Sequence, residues 1–422
     1  MHKERTLKNK QSFYIIVGNV VYLAAQWALT VVVVRLSSDY YMAGLLALAM
    51  TITNIFYIIA SYGLRAYQVS DITGKYSDQC YILSRIVTIA ASLVAFAGYV
   101  AVLGYDATTL RVISLYMLYK VLEAASDVLY GIFQAHDRYD YVCTSMSVKG
   151  FLGILVFTGC LAAGLSLEAA LCAMILVAVL TLAFLDVRWC LQYTRPLVYW
   201  SRTAWKSMLH LLWSSALMVL LLISQPLLIS MPRLYFEQHY STELLGIYSS
   251  LSAPTLIIST FVSCAMMPYI PLFAQYHAAG EKRRLAKLTA GSLLFAAGFG
   301  VLALAVASWL GEWVLVLLYG QDIAAYTHVF LLVIIVTTLS AVAMCLSTLF
   351  IALRRLVTLS VVLLTSCALC QLVTPYFVQG YGMEGVTYAL MSALAFQILA
   401  GVLMAVLHIH KIPDRMNFTH GG

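Results

Sequence analysis

The sequence predicts an all-α polytopic membrane protein of about twelve transmembrane helices arranged as two six-helix bundles. Three observations carry this. The chain is 422 residues long, 62% hydrophobic and only 10% charged, with a mean hydropathy of +0.89; soluble domains run nearer 25% charged. Apolar runs of the length that crosses a hydrocarbon core of about 30 Å recur between short charged breaks. Lysine and arginine collect on alternate breaks, as they do on the cytoplasmic side of multi-pass proteins.

In chain order, Met1 to Lys10 is basic and Ser12 to Leu36 is one apolar run, too long for the apolar region of a signal peptide and so an expected uncleaved first span. Charged or turn-rich breaks then delimit twelve spans: 13–36, 41–64, 81–104, 110–134, 142–164, 168–191, 207–231, 244–273, 287–310, 323–351, 356–378 and 385–408. The eighth and tenth are overlong and are expected to tilt or kink, the eighth at Pro254, Pro268 and Pro271. Span seven carries Ser224-Gln225-Pro226 and ends at Met231-Pro232-Arg233. Breaks at Pro226 and Pro254 are either hinges for alternating access or ordinary kinks.

An even number of spans puts both termini on one side. With that side cytoplasmic, twenty lysines and arginines lie inside, and only Arg35, Arg111 and Arg233 lie outside. The net charge of +7 therefore reports orientation rather than nucleic-acid binding. Trp200, Arg202, Trp205 and Lys206 suit a short amphipathic helix at the inner interface, a connector at about 193–206 between halves 1–198 and 199–422. A faint likeness between the halves, Arg35-Leu then Ala43-Gly44 beside Arg233-Leu then Leu245-Gly246, suits parallel repeats around a central cleft.

The fourth span holds the chemistry. At 100° per residue, Tyr116, Lys120, Glu123, Asp127, Tyr130 and Gln134 fall within an arc of roughly 80°. Three charges facing lipid would cost about 7–10 kcal/mol, so the stripe must face protein or a water-filled lumen. Either it lines a passage or it is a buried ion-pair network, with Lys120 and Glu123 one turn apart. Lys149 in span five joins the lumen or snorkels to the inner interface. Arg35 and Arg65, at the ends of spans one and two, are interfacial anchors or ligands. Gln26, Asn54 and Gln225 are polar at mid-span, where hydrogen bonding between helices is the default role.

Several classes are excluded. No segment between spans exceeds about fifteen residues, too little for a soluble catalytic or nucleotide-binding domain. Phosphate-loop, zinc-protease and serine-hydrolase motifs are missing from the sequence, so no catalytic residue, metal or cofactor is expected. Nine cysteines, an odd number mostly within apolar runs, argue against a complete disulfide framework. Cys367-Ala-Leu-Cys370 reads as small packing residues.

The runs Met231-Pro-Arg-Leu-Tyr-Phe-Glu-Gln-His-Tyr, Glu243-Leu-Leu-Gly-Ile-Tyr-Ser and Met267-Pro-Tyr-Ile-Pro, with Gly63-Leu-Arg-Ala-Tyr-Gln-Val-Ser-Asp and Gln134-Ala-His-Asp-Arg-Tyr-Asp, resemble the polysaccharide-transporter branch of the multidrug/oligosaccharidyl-lipid/polysaccharide (MOP) exporters, relatives of the MATE transporters. The resemblance covers nearly the whole chain. It implies two six-helix bundles around an often cationic cavity in the bacterial inner membrane. It also implies a flippase that turns a polyprenyl-pyrophosphate-linked oligosaccharide, for O-antigen, capsule or a related glycan, to the outer leaflet. Glycan polymerases or glycosyltransferases are the implied neighbours, and membrane lipid the medium.

Under this reading Lys120 and the candidate arginines pair with pyrophosphate or acidic sugar. Glu123 or Asp127 takes up a proton or Na⁺, and Tyr116 and Tyr130 offer faces to sugar rings. The stripe alone is net acidic; Lys149, Arg35 or Arg65 must join it to make the cavity cationic. The rivals are a multidrug or metabolite cation antiporter of the MATE type, a membrane glycan polymerase or glycosyltransferase, and a lipid II flippase. The enzymes ordinarily need an outer loop larger than Pro232 to Glu243, and the lipid II flippase needs further spans.

Overall fold

A computed structural model describes residues 2–37, 40–71, 74–194, 202–266 and 268–411. Among these the chain is entirely helical, without a strand, and divides into two compact units, Met1–Ile223 and Ser224–Gly422. Eleven helices among the described residues are long and apolar enough to cross a membrane. The 29-residue helix Ala107–Ala135 is a further long one, set apart by its charges. The expected multi-pass, all-α class is what the chain adopts.

The N-terminal unit contains α1 (His2–Leu36), α2 (Tyr41–Ser61), α3 (Leu64–Ser70), α4 (Asp78–Leu103), α5 (Ala107–Ala135), α6 (Tyr139–Ala162), α7 (Leu167–Thr181), a π-helical turn (Leu182–Val187) and α8 (Arg188–Cys190). The long helix α9 (Arg202–His239) begins in this unit. Helix α1 lies along α6. The approach is close enough that a Cβ on Gly18 would sit 2.9 Å from Cys143 Cα, so a small residue is needed there. Helix α5 packs against α2, α4, α6 and α7 and is the unit's central element.

Local signals explain the boundaries. Ser77, Asp106 and Ser166 accept from backbone N–H groups at the starts of α4, α5 and α7. Asp106 accepts from Thr108 N at 2.9 Å and Thr109 N at 3.2 Å. Lying outside the span, its carboxyl is held below the usual carboxylate range by hydrogen bonds from the Thr109 hydroxyl and backbone. A lowered native value contributes stability above the usual carboxylate range and loses it as pH falls through the native value. Asp106→Ala is expected to cost about 1 kcal/mol at neutral pH, while Asp106→Asn keeps the cap and flattens the acid limb; thermal unfolding in detergent between pH 3 and pH 7 reads both.

The C-terminal unit contains the rest of α9, then α10 (Thr242–Ser252), a 3₁₀ turn (Ala253–Thr255), α11 (Leu256–Met266), α12 (Tyr269–Ala279), α13 (Lys282–Tyr319), a second 3₁₀ segment (Gln321–Tyr326), α14 (Thr327–Ala352), α15 (Leu356–Tyr381) and α16 (Met383–Lys411). Helix α14 packs against α13 and α16, and α15 against α16.

Two expectations are corrected. The span expected over 244–273 is divided: Pro254 sits in the 3₁₀ turn, α11 ends at Met266, and Pro268 precedes a separate α12. Pro254 withholds the backbone donor that an unbroken α-helix would need, and the chain tightens there into the 3₁₀ turn. The connector's Trp200 lies outside the described residues, as does Met267 of the motif. Trp205 and Lys206 belong to α9 itself and are exposed, rather than to a separate short helix. Pro226 and Pro232, by contrast, lie inside a continuous α9. Pro232 removes the donor for the Leu228 carbonyl, and the Cys370 thiol from α15 stands 3.7 Å from that oxygen. One turn earlier Cys367 Sγ donates to Ser224 O at 3.3 Å. All nine cysteines are free thiols.

Candidate functional site

Helix α5 has an acidic, basic and aromatic side because its polar residues recur at helical spacing, and the other helices of the N-terminal unit converge on that side. Near its middle, Tyr116 donates to Gln26 Oε1 at 3.2 Å. Gln26 Nε2 in turn reaches the hydroxyls of Tyr119 (3.2 Å) and Tyr22 (3.3 Å). One turn further, Lys120 Nζ pairs with Glu123 at 2.7 Å. The rings of Tyr57, Tyr116 and Tyr119 lie 5.4, 5.6 and 5.9 Å from the ammonium, within cation–π range.

Asp127 is shared between two arginines. Its Oδ2 accepts from Arg85 Nη2 at 2.7 Å and its Oδ1 from Arg65 Nη1 at 3.3 Å. Arg85 is only 1% exposed, and its Nη1 donates to the Ala60 carbonyl at 2.7 Å. Arg65 is presented differently. Tyr62 and Gly63 adopt φ of 50° and 62°, breaking α2 and restarting the chain as α3. Glycine suits that left-handed position, and a Cβ there would meet Leu222 at 2.8 Å. The redirected Arg65 donates from Nε to Gln134 Oε1 at 3.0 Å and lies 5.5 Å from the Tyr130 ring centroid.

The third pair is sealed. Lys149 Nζ from α6 donates to Asp186 Oδ2 at 2.9 Å, to the Tyr130 hydroxyl at 3.0 Å and to Ser126. Tyr130 and Ser145 hydroxyls are 2.8 Å apart. Asp186 is wholly buried in the π-helical turn, a distortion that recurs at functional sites. Lys149 does not snorkel. Arg35 is exposed in the last turn of α1 and lines neither cavity of this cluster.

Two cavities adjoin the cluster. One of about 550 Å³ is lined by Asn19, Tyr57, Ser61, Gly63, Arg65, Ala66, Val69, Ser70, Asp127 and Gln134. A smaller one of about 70 Å³ is bounded by Tyr22, Tyr57, Arg65, Glu123, Ser126, Asp127, Tyr130, Met146 and Lys149. The network and the cavities overlap in part: Arg65, Glu123, Asp127 and Lys149 line them, while Lys120, Arg85 and Asp186 line neither. Four cations (Arg65, Arg85, Lys120, Lys149) face three carboxylates (Glu123, Asp127, Asp186), a formal surplus of one positive charge.

Of the residues that the sequence points to, the structure brings together Lys120, Glu123, Asp127, Lys149, Arg65, Tyr116, Tyr130 and Gln134. Tyr116 and Tyr130 are buried with their hydroxyls engaged; Tyr130 borders the smaller cavity only, Tyr116 lines neither, and Tyr57 lines both. Pro226 and Pro254 lie in the other unit. Helical spacing does not single out Arg85 and Asp186; both stand a few residues inside a span end, where a charge reads as an interfacial anchor. The motif Gln134 to Asp140 forms the turn into α6. There Asp137 has φ 59°, and Arg138 lies over the Tyr141 ring at 3.6 Å and pairs with Asp140 at 2.8 Å.

No family model matches the chain. The capsular polysaccharide biosynthesis protein CapF of Staphylococcus aureus is 26% identical over 317 residues, covering 73% of this chain and 76% of that protein. Among solved structures, an inward-facing multidrug resistance MATE family transporter superposes with a TM-score of 0.60 at 14% identity over 95% of each chain. An outward-facing one gives 0.60 at 15% over 97% of each. A MOP superfamily transporter from Pyrococcus furiosus, described by the reversed polarity of its binding pocket, gives 0.60 at 14% over 96% of each. The chain therefore has the fold of the MATE and other MOP superfamily transporters, and its motif resemblance to the polysaccharide-transporter branch is borne out by a capsular polysaccharide biosynthesis relative.

Proposed function

We propose that this chain is a secondary-active flippase of the bacterial inner membrane. It moves a polyprenyl-pyrophosphate-linked oligosaccharide to the outer leaflet by alternating access, with both termini cytoplasmic. The observation that carries this reading is Arg65, whose guanidinium lies on the wall of a cavity of about 550 Å³ within a charge cluster that carries one formal positive charge in excess. The capsular relative supports a glycan cargo, and the positive charge of the expected inner segments supports the orientation.

Arg65 offers a planar fork of donors to phosphate oxygens. The coupling ion, a proton or Na⁺, goes to Glu123: its ion-pair partner among the described residues is Lys120, and it borders the small cavity, whereas Asp127 is clamped by two guanidinium groups. In proteoliposomes carrying a lipid-linked oligosaccharide, Glu123→Gln is expected to slow gradient-driven translocation about 5–150-fold, the usual span of a coupling free energy. Gradient-free exchange is expected to persist. Unaltered gradient-driven flipping by Glu123→Gln would remove Glu123 from the coupling role. Resistance to cationic dyes without glycan flipping would replace the flippase by a drug antiporter.

A further inference from the structure

We infer that Asp127 is a resident counter-anion, which a phosphate-bearing headgroup displaces from Arg65 while Arg85 retains it. This rests on the anion-binding part of the function proposed above and assigns that site its regulation. The carboxylate is held asymmetrically. Its bond to Arg85 is short, at 2.7 Å, and buried; its bond to Arg65 is longer, at 3.3 Å, and lies on the cavity wall. The two arginines also differ in what else holds them. Arg85 is fixed by the Ala60 carbonyl.

Arg65 is positioned by two neutral groups, the Gln134 amide oxygen at 3.0 Å and the Tyr130 ring at 5.5 Å. Its orientation therefore survives loss of the Asp127 contact. Arg65 is also the more exposed partner, with 24% of its side chain accessible against 2% for Arg85.

An incoming phosphate oxygen thus takes over a guanidinium N–H already aimed into the cavity. Asp127 keeps a charged partner throughout, so neither a bare carboxylate nor a bare guanidinium is left in the low-dielectric interior. When the headgroup leaves, Asp127 re-pairs with Arg65. The empty site is neutralised by the protein, and the headgroup competes for one weak contact instead of two strong ones. Glu123, one helical turn away, borders the same small cavity and Arg65 but takes no bond from either arginine in this arrangement.

The test is binding of inorganic pyrophosphate, and separately farnesyl pyrophosphate, to the purified full chain in detergent, read by calorimetry across the variants. Asp127→Asn is expected to bind on the order of tenfold more tightly, the equivalent of one charge-assisted hydrogen bond freed from competition. Arg65→Gln is expected to lose binding. Glu123→Gln removes the same charge nearby and so reads the field effect alone; a much smaller gain is expected. Equal gains in the two carboxylate variants, or unchanged or weaker binding by Asp127→Asn, would overturn the exchange.

Should Asp127→Asn fail to fold, Gln134→Leu takes its place and is expected to weaken pyrophosphate binding by freeing Arg65; unchanged binding there overturns the inference. Tighter binding of farnesyl pyrophosphate assigns the headgroup to a lipid, and equal binding to a free anion; both support the exchange. Because no glycan is present, these outcomes are independent of whether the chain flips one.

Discussion

A Lys149→Met variant is expected to be about 3–5 kcal/mol less stable than the wild type, the cost of stripping a buried carboxylate of its cation. Asp186 is wholly buried and Lys149 is its ion-pair partner, so the variant leaves a charge that water cannot reach. Tyr130 and Ser126 lose a donor in the same step. Removing both charges is a different matter. Lys149→Met with Asp186→Leu is expected to recover most of the loss, since an apolar pair of similar volume carries no desolvation cost. Thermal or denaturant unfolding in detergent of the two singles and the double closes the cycle. A single variant as stable as the wild type would show that the pair is not dry.

The second large effect falls on transport. Arg65→Ala is expected to weaken headgroup binding by roughly 2–5 kcal/mol, as truncation of one partner in a desolvated charged contact does. That exceeds an order of magnitude in affinity, so under the function proposed above polysaccharide export is expected to fail at normal protein levels. Arg65→Lys keeps the charge without the planar fork and loses the separate Nε and Nη donors that reach Gln134 and Asp127; an intermediate defect is expected. Folding should be little affected, because Asp127 still has Arg85. Complementation of a flippase-deficient strain, with immunoblotting for protein level, reads both. Full activity of Arg65→Ala would remove Arg65 from the substrate path.

Much of the cluster is legible in one dimension. Burial forces charges on a membrane helix to share one side, so a 3.6-residue count alone places Tyr116 through Gln134 together. The spacing that puts Lys120 and Glu123 one turn apart is the spacing of the observed pair. What periodicity does not carry is depth near span ends. Arg85 and Asp186 lie where a flexible side chain is free to reach water or turn inward, and only the packing of α4 and the π turn decides. A π turn shifts the register of the downstream residues by about one position, which no helical count anticipates. Arg65 depends on the left-handed pair Tyr62-Gly63; the glycine signals a break but not its direction.

The prolines of α9 suggest joints, yet the helix runs on through both and thiols of α15 reach its carbonyls. Because Cys370 reaches the oxygen that Pro232 orphans, and Cys367 reaches one turn back, the proline-bearing stretch of α9 is tied to its neighbour α15. Within the C-terminal unit the interruption of α-helical geometry lies instead at Ala253–Thr255, where α10 gives way to α11 through a single tightened turn.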